Sequence, residues 1–348
     1  MEYRDLGLSG IKVSVIGLGC WTFGGGNYWG AHSQKDADAV VAAALERGVN
    51  FFDTAEVYND GESERSLGVA LKGRRDKVVL ASKINPAHAG NVRKYLEASL
   101  ARLGTDYLDV YILHWPINPT ALAHYTADQS VFNQPPRLAD VFAQFEALKK
   151  EGLVRSIGIS NFGVKQMAEV VATGTRVDSN QLPYNIVSRA IEKEIAPYCV
   201  ERKIAITGSV GLQQGLLTGK YARPEDVPAP QAHFRHFKHE RGGEESRHHE
   251  EGAEKELFEA VASIQAISAE TGFSCAQISL AWIIQKPFMT STLVGCRNIA
   301  QLEANLAAAD ITLSNEIMKR IDMASIPVWE KLGDAADYFE HRSKSRIF

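Results

Sequence analysis

Four side chains of types that donate, accept or hold protons stand at Asp53, Tyr58, Lys83 and His114 of this 348-residue sequence. Three lie at or near the carboxyl ends of strand-like runs: Asp53 in VNFFDTA (49–55), Lys83 in VVLASK (78–83) and His114 in DVYILHW (109–115). Tyr58 follows Asp53 by five residues, in a Gly- and Asp-containing loop. Taken singly, each has a structural explanation. Asp53 could cap the segment after its strand, Lys83 could be solvent-exposed, Tyr58 could pack with a wet hydroxyl, and His114 could be a hydrogen-bonded core histidine beside Trp115. Brought together, they are a proton-handling set. A lysine so placed could also serve as a Schiff-base nucleophile in a lyase. Asp53 and Tyr58 beside it argue against that, because an ion-paired lysine stays protonated and is a poor nucleophile.

The elements that carry these residues decide whether they meet. Runs rich in Val, Ile and Phe alternate with helix-like stretches. The strand candidates are VSVIGLG (13–19), the three runs above, SIGISN (156–161), VDSNQ (177–181), IAITGS (204–209) and STLVGC (291–296). Amphipathic segments fall near 62–72, 91–103, 138–151, 163–172, 191–202, 274–286 and 298–308; another opens with a capping-box variant at Ser33 and closes at Gly48. Such alternation implies parallel strands buried on both faces, which accounts for their continuous apolar character. Eight units predict an α/β fold, a (β/α)8 TIM barrel forming one domain over 1–348, with an open doubly wound sheet as competitor. The opening EYRDLGLSGIKVSV predicts an N-terminal β-hairpin turning at Ser9-Gly10. Residues in excess of a ~250-residue barrel concentrate in lid-like insertions at 116–136 and 222–252 and in a tail, 325–348, placed after the last helix.

In a barrel the carboxyl ends of all strands open on one mouth. Asp53, Tyr58, Lys83 and His114 are therefore expected together, joined by Ser160, Asn161 and Gln181 from later strands. Composition narrows the partners. A formal charge of −4, from 38 basic and 42 acidic residues, leaves no electrostatic footprint for nucleic acid or an anionic membrane. Cysteines at 20, 199, 275 and 296 form no C-x-x-C pair, which argues against a disulfide scaffold and a structural zinc site. The opening lacks an apolar signal region, and no run approaches the ~18 apolar residues of a membrane span, so a cytoplasmic protein is expected. Nothing in the sequence specifies an oligomeric state.

Six stretches, GVNFFDTAEVYNDGESERSLGVAL, ASK, LDVYILHWP, GLVRSIGISNF, GLLTGKY and VGCRNIAQLEANL, occur in the order and spacing of the aldo-keto reductase superfamily, which the sequence resembles from about residue 3 to 322. The resemblance implies NADP(H)-dependent reduction of an aldehyde or ketone, with Asp53, Tyr58, Lys83 and His114 as a catalytic tetrad. Tyr58 would be the general acid, Lys83 would tune it, Asp53 would orient Lys83, and His114 would position the carbonyl oxygen. A phenol with a pKa of ~10 is a weak acid near neutrality. An ammonium ~4 Å away contributes on the order of 4 kcal/mol at an effective dielectric of ~20. A lowered Tyr58 is therefore expected, offset in part by burial and by Asp53.

The resemblance also places Ser160, Asn161 and Gln181 against the nicotinamide carboxamide and Leu212, Gln213 and Gly215 in a loop strapping the pyrophosphate. Gly295, Arg297, Gln301 and Asn305 fall at the adenosine end. Arg297 ahead of a helix N-terminus favours a 2′-phosphate, hence NADPH over NADH. GLGCWTFGGG is no Rossmann fingerprint, since Thr22 stands where the third glycine belongs. Two other functions remain open: a nicotinamide-binding regulatory subunit with little turnover, and a polyol or aldose dehydrogenase running in the oxidative direction.

The sequence departs from the family pattern at two places. Ser209-Val210-Gly211-Leu212 stands where an aromatic residue followed by Ser-Pro-Leu usually stacks on the nicotinamide, and Ala304 replaces an acidic residue. Trp21, Trp29 and Trp115 are expected to line the mouth and suit a small-molecule carbonyl, a sugar or a hydrophobic aldehyde. The basic insert with His233, Arg235, His236 and Arg247 could touch a polyhydroxylated or anionic substrate, or form a solvated lid. His233-x-x-His236-x-x-His239 has no fixed carboxylate partner, so no metal is expected.

Overall fold

The computed structural model describes residues 1–26 and 28–348. An antiparallel hairpin of β1 (Tyr3–Asp5) and β2 (Lys12–Ser14) precedes eight parallel strands. These are β3 (Ile16–Gly19), β4 (Phe51–Asp53), β5 (Val79–Ile84), β6 (Leu108–Leu113), β7 (Val154–Ser160), β8 (Ser179–Pro183), β9 (Ala205–Ser209) and β10 (Met289–Val294). They pair in chain order and β10 returns to β3, closing the expected (β/α)8 barrel.

The run at 13–19 divides. Its first residues pair with β1, and the barrel strand begins at Ile16. At the hairpin turn the Ser9 hydroxyl donates to Leu6 O (2.7 Å) and accepts from Ile11 N (3.1 Å). Leu6, Ile11 and Val13 then pack with Phe51, Val79, Ala81, Val110, Ile112, Ala205 and Leu293 in a cluster separate from the main core. Those strand residues recur at every second position, so they share the inward face. The same face continues upward from Phe51 to Asp53, from Val79 and Ala81 to Lys83, and from Val110 and Ile112 to His114. It is apolar below and polar at the mouth. The interior is filled: a Cβ on Gly158 would come within 2.9 Å of Ile112 Cγ1 and of Ser179 Oγ.

Helices differ from expectation chiefly at the C-terminal end. Glu254–Thr271 and Asn315–Leu332, 18 residues each, were not marked by the sequence pattern. The second occupies residues 325–332, so the tail proper begins at Gly333. The insertion 116–136 is not plain loop but carries two short helices, Pro119–Tyr125 and Gln129–Asn133. Among the described residues no helix is long and apolar enough to cross a membrane.

The second insertion and the tail fold onto each other over the mouth. Arg235, fully buried, donates to Leu332 O (2.6 Å), Ala335 O (3.3 Å) and Asp337 O (3.3 Å) and pairs with Glu250 (2.9 Å). Its backbone N–H donates to Tyr338 O (2.8 Å). His236 is buried against Val187 O (2.8 Å) and Ser188 Oγ (3.1 Å). His233 is buried beside Pro230 O (2.5 Å). These residues are packing and hydrogen-bonding members of a built lid, which corrects the expectation of a solvated one. Among the described residues no group of three His, Cys, Asp or Glu side chains could hold a metal ion.

Candidate active site

Lys83 ends the inward face of β5 with no exposed surface, and its ammonium uses all three donors. Nζ donates to Asp53 Oδ1 (2.6 Å), Thr54 O (2.8 Å) and Tyr58 Oη (3.2 Å). Asp53 Oδ2 accepts from Gln181 Nε2 (2.9 Å), so β4, β5 and β8 fix the carboxylate between them. Tyr58 opens a tight turn in which Asn59 and Asp60 adopt left-handed φ of 51° and 53°. Asn59 Nδ2 holds that turn by donating to Trp21 O (2.9 Å) and Phe23 O (2.8 Å). The His114 ring meets the Tyr58 ring edge-on at 5.7 Å. The four residues expected at one mouth are together.

Their electrostatics depart from expectation at Tyr58. Burial raises the phenol; Lys83 pulls it down and Asp53 pushes it back up, and the outcome lies above the ordinary value. Desolvation of an enclosed phenol outweighs one cation. Burial acts to lower Lys83, but Asp53 and Tyr58 overcome it, so the ammonium is held charged. A charged lysine with every donor engaged is no Schiff-base nucleophile. Burial, reinforced by Lys83, pushes His114 well below the usual histidine value, leaving a neutral ring whose buried Nδ1 has no partner among the described residues.

A cleft of about 980 Å³ runs over these residues, and Ser160, Asn161, Gln181, Leu212, Gly215, Gly295, Arg297, Gln301, Asn305, Trp21, Trp29 and Trp115 all line it. Asn161 takes a left-handed φ of 64°, which asparagine tolerates, and donates to His114 O (3.1 Å) and Ser160 Oγ (2.9 Å). Among the described residues the amide oxygens of Asn161 and Gln181 accept no hydrogen bond, which leaves two acceptors for a primary amide.

Gln213 is the exception. Consecutive left-handed residues Gln213 (44°), Gln214 (51°) and Gly215 (94°) turn its side chain into the protein, where Oε1 accepts from Asn185 Nδ2 (2.8 Å) and Ser188 Oγ (3.3 Å). Gln214 and Lys220 face the cleft instead. Lys220 lies within the GLLTGKY stretch, and its cationic chemistry was the available signal. Val210 and Leu212 supply an apolar wall where no aromatic stands.

At the far end Asn298 caps the helix Ile299–Leu306, accepting from Gln301 N (2.9 Å), and Gln301 Oε1 accepts from Arg297 N (2.9 Å). Arg297 thus stands beside a capped helix start, with its guanidinium also donating to Ala31 O (2.9 Å). Amide acceptors, a lysine beside a turn of backbone and a distal arginine fit a nicotinamide dinucleotide with a 2′-phosphate.

Aromatic side chains form the remaining wall. Trp21 stacks on Tyr28 (4.9 Å), meets Trp29 at right angles (5.3 Å) and lies 5.7 Å from Tyr58. The Tyr28 hydroxyl bonds to Pro230 O (2.6 Å) and lies against Gln214, spanning two loops. Sequence reasoning missed Tyr28, His124, Tyr125, Phe339 and Arg346, all of which line the cleft. Phe339 and Arg346 come from the tail and had no local signal.

The Aldo/keto reductase family model matches residues 15–326. The chain belongs to the aldo/keto reductase family. This reductase is 32% identical over 339 residues to Aldo-keto reductase YhdN of Bacillus subtilis (strain 168), covering 92% of this chain and 93% of that one. It is 29% identical to the NADH-specific methylglyoxal reductase of Escherichia coli (strain K12), over 92% of this chain and all of the other. The crystal structure of an aldo/keto reductase from Klebsiella pneumoniae in complex with NADP and acetate superposes with a TM-score of 0.71 at 26% identity, covering 98% and 100% of the two chains. The reductase is an oxidoreductase by family.

Proposed function

We propose that this reductase uses NADP(H) to reduce an aldehyde or ketone, a sugar or sugar-derived carbonyl, to the alcohol, with Tyr58 as proton donor. When bound, the reduced nicotinamide supplies a hydride to the carbonyl carbon. The C=O π pair moves onto the oxygen, which takes the Tyr58 proton as an O–H bond forms. The Lys83 ammonium, 3.2 Å from the phenol oxygen, then faces the charge left there. Neutral His114 offers a ring N–H to the same substrate oxygen and positions it.

The observation that carries this reading is the exhausted donor set of Lys83. It fixes one positive charge against one phenol and keeps the amine from any other chemistry. Asn161 and Gln181 supply acceptors for the carboxamide, Lys220 a cation for the pyrophosphate, and Arg297 one for the 2′-phosphate. The wall of Trp21, Tyr28 and Trp29 suits the C–H faces of a sugar.

The test is loss of NADPH absorbance over neutral and anionic aldehydes, aldoses and keto-sugars, with a second run of oxidised cofactor and polyols. Oxidation of NADPH by at least one carbonyl class, with weaker use of NADH, is expected. Binding of NADPH with no turnover on any of them would identify a cofactor-binding subunit instead.

A further inference from the structure

The lid brings two arginines to the cleft that the proton-transfer reading leaves unused. Arg346, 1% exposed, is fixed from several sides. Nε and a terminal nitrogen engage Asp337 Oδ2 (2.7 Å) and Oδ1 (2.9 Å), and Cζ lies 3.6 Å over the Trp115 ring. Its carbonyl accepts from Asn118 Nδ2 (3.1 Å) and Gln166 Nε2 (2.7 Å). Among the described residues the other terminal nitrogen has only Glu340 Oε1, at 3.9 Å, beyond hydrogen-bond reach. Arg247, from the second insertion, donates Nε to Glu340 Oε1 (2.6 Å), and its backbone bridges to Glu340. Its two terminal nitrogens make no hydrogen bond among the described residues, and its side chain is 30% exposed.

Both arginines line the cleft that holds Tyr58 and His114, beside Trp115, His124, Tyr125 and Phe339. The Tyr125 and His114 rings lie 6.2 Å apart, which connects this wall to the reacting centre. Asp337 and Glu340 compensate the two charges but consume only part of the donor capacity. Each guanidinium carries five N–H donors in a rigid fork, and those left unpaired remain available to a ligand's acceptors. Aromatic lining alone would recognise a neutral sugar. A pair of anchored guanidinium groups recognises a planar or tetrahedral anion. The field of Arg346 also reaches His114, helping to hold that ring neutral.

We propose that Arg247 and Arg346 form an anion subsite, and that the preferred substrates are carbonyl compounds bearing a carboxylate or a phosphate. This rests on the reductase reading of the same cleft. The test compares matched pairs with NADPH: succinic semialdehyde against butanal, and glyceraldehyde 3-phosphate against glyceraldehyde. A parallel titration of tryptophan fluorescence uses 4-hydroxybutyrate and glycerol 3-phosphate against butanol and glycerol, and needs no turnover. Wild type is expected to favour the anionic member through KM, and Arg247→Met to reduce that preference about 10- to 100-fold, the worth of hydrogen bonds to a charged group. Arg247→Lys should retain part of it. The carboxylate and phosphate pairs tell the two anions apart. Turnover of neutral and anionic members alike, unchanged in Arg247→Met, overturns the subsite and leaves the reductase standing. Anion binding that is lost in Arg247→Met without turnover of any carbonyl overturns the reductase and leaves the subsite. Absence of both turnover and anion binding overturns both.

Discussion

At the Tyr58 hydroxyl, burial and charge compete. Burial raises the phenol and Lys83 lowers it, so at neutral pH the proton stays on oxygen until an alkoxide appears to take it. Tyr58→Phe keeps the ring between Trp21 and His114 but removes that proton. Turnover is expected to fall about 10²- to 10⁴-fold with NADPH binding near wild type, as steady-state rates and a fluorescence titration would show; retained turnover would place the proton donor elsewhere. The residues of this centre were legible because Asp53, Lys83 and His114 sit at or beside strand ends and Tyr58 in the loop that follows one, where type and position together carry meaning. The sign of the Tyr58 shift was not, because desolvation depends on what closes over the ring. The inward turn of the Gln213 side chain was not legible for a related reason: a left-handed φ of 44° decides which way it faces.

Elements were legible in proportion to how local their causes are. Strands buried on both faces show as continuous apolar runs, and all eight barrel strands were placed within a few residues. The helix Glu254–Thr271 has no capping side chain at Ala253, so its start carried no signal. The lid is held by contacts such as Arg235 to Asp337 O, 102 residues apart, which no window reveals. The tail is seated at the start of the helix Val164–Ala172, where Phe348 N donates to Gln166 Oε1 (3.1 Å). Gly163 makes this possible, since a Cβ there would come within 2.4 Å of Phe348 O. Gly163→Ala is therefore expected to displace the tail, costing about 1–3 kcal/mol. Carboxypeptidase sensitivity and denaturant unfolding would check this; unchanged protection of the C-terminus would contradict the tail's seating.

At the scale of the molecule, a hairpin plugs the barrel below and the insertion and tail cover it above, with the polar residues between. That cover buries histidines as neutral rings. Burial pushes His233 and His248 down to about 4 and His236 to about 3. In the unfolded chain they titrate near ~6.5. Below that pH the unfolded state binds protons that the folded state refuses. Their contribution is therefore complete above about pH 6.5 and is lost as pH falls through the folded values, by up to about 1.4 kcal/mol per pH unit for each. Chemical denaturation between pH 7 and 4 should show falling stability, while a flat profile would mean that the lid histidines are not enclosed.

The central claim is that the Lys83 ammonium opposes burial at the Tyr58 phenol and steadies the charge left there when the proton goes. Reduction rate against pH in Lys83→Met tests it most directly, with cooperative unfolding confirmed first because Asp53 loses its buried partner. Without the ammonium that lowers it, Tyr58 titrates higher still. The expected result is a kcat/KM plateau at least about 100-fold lower, with its alkaline limb moved to higher pH. Full turnover with an unchanged pH profile would contradict the account.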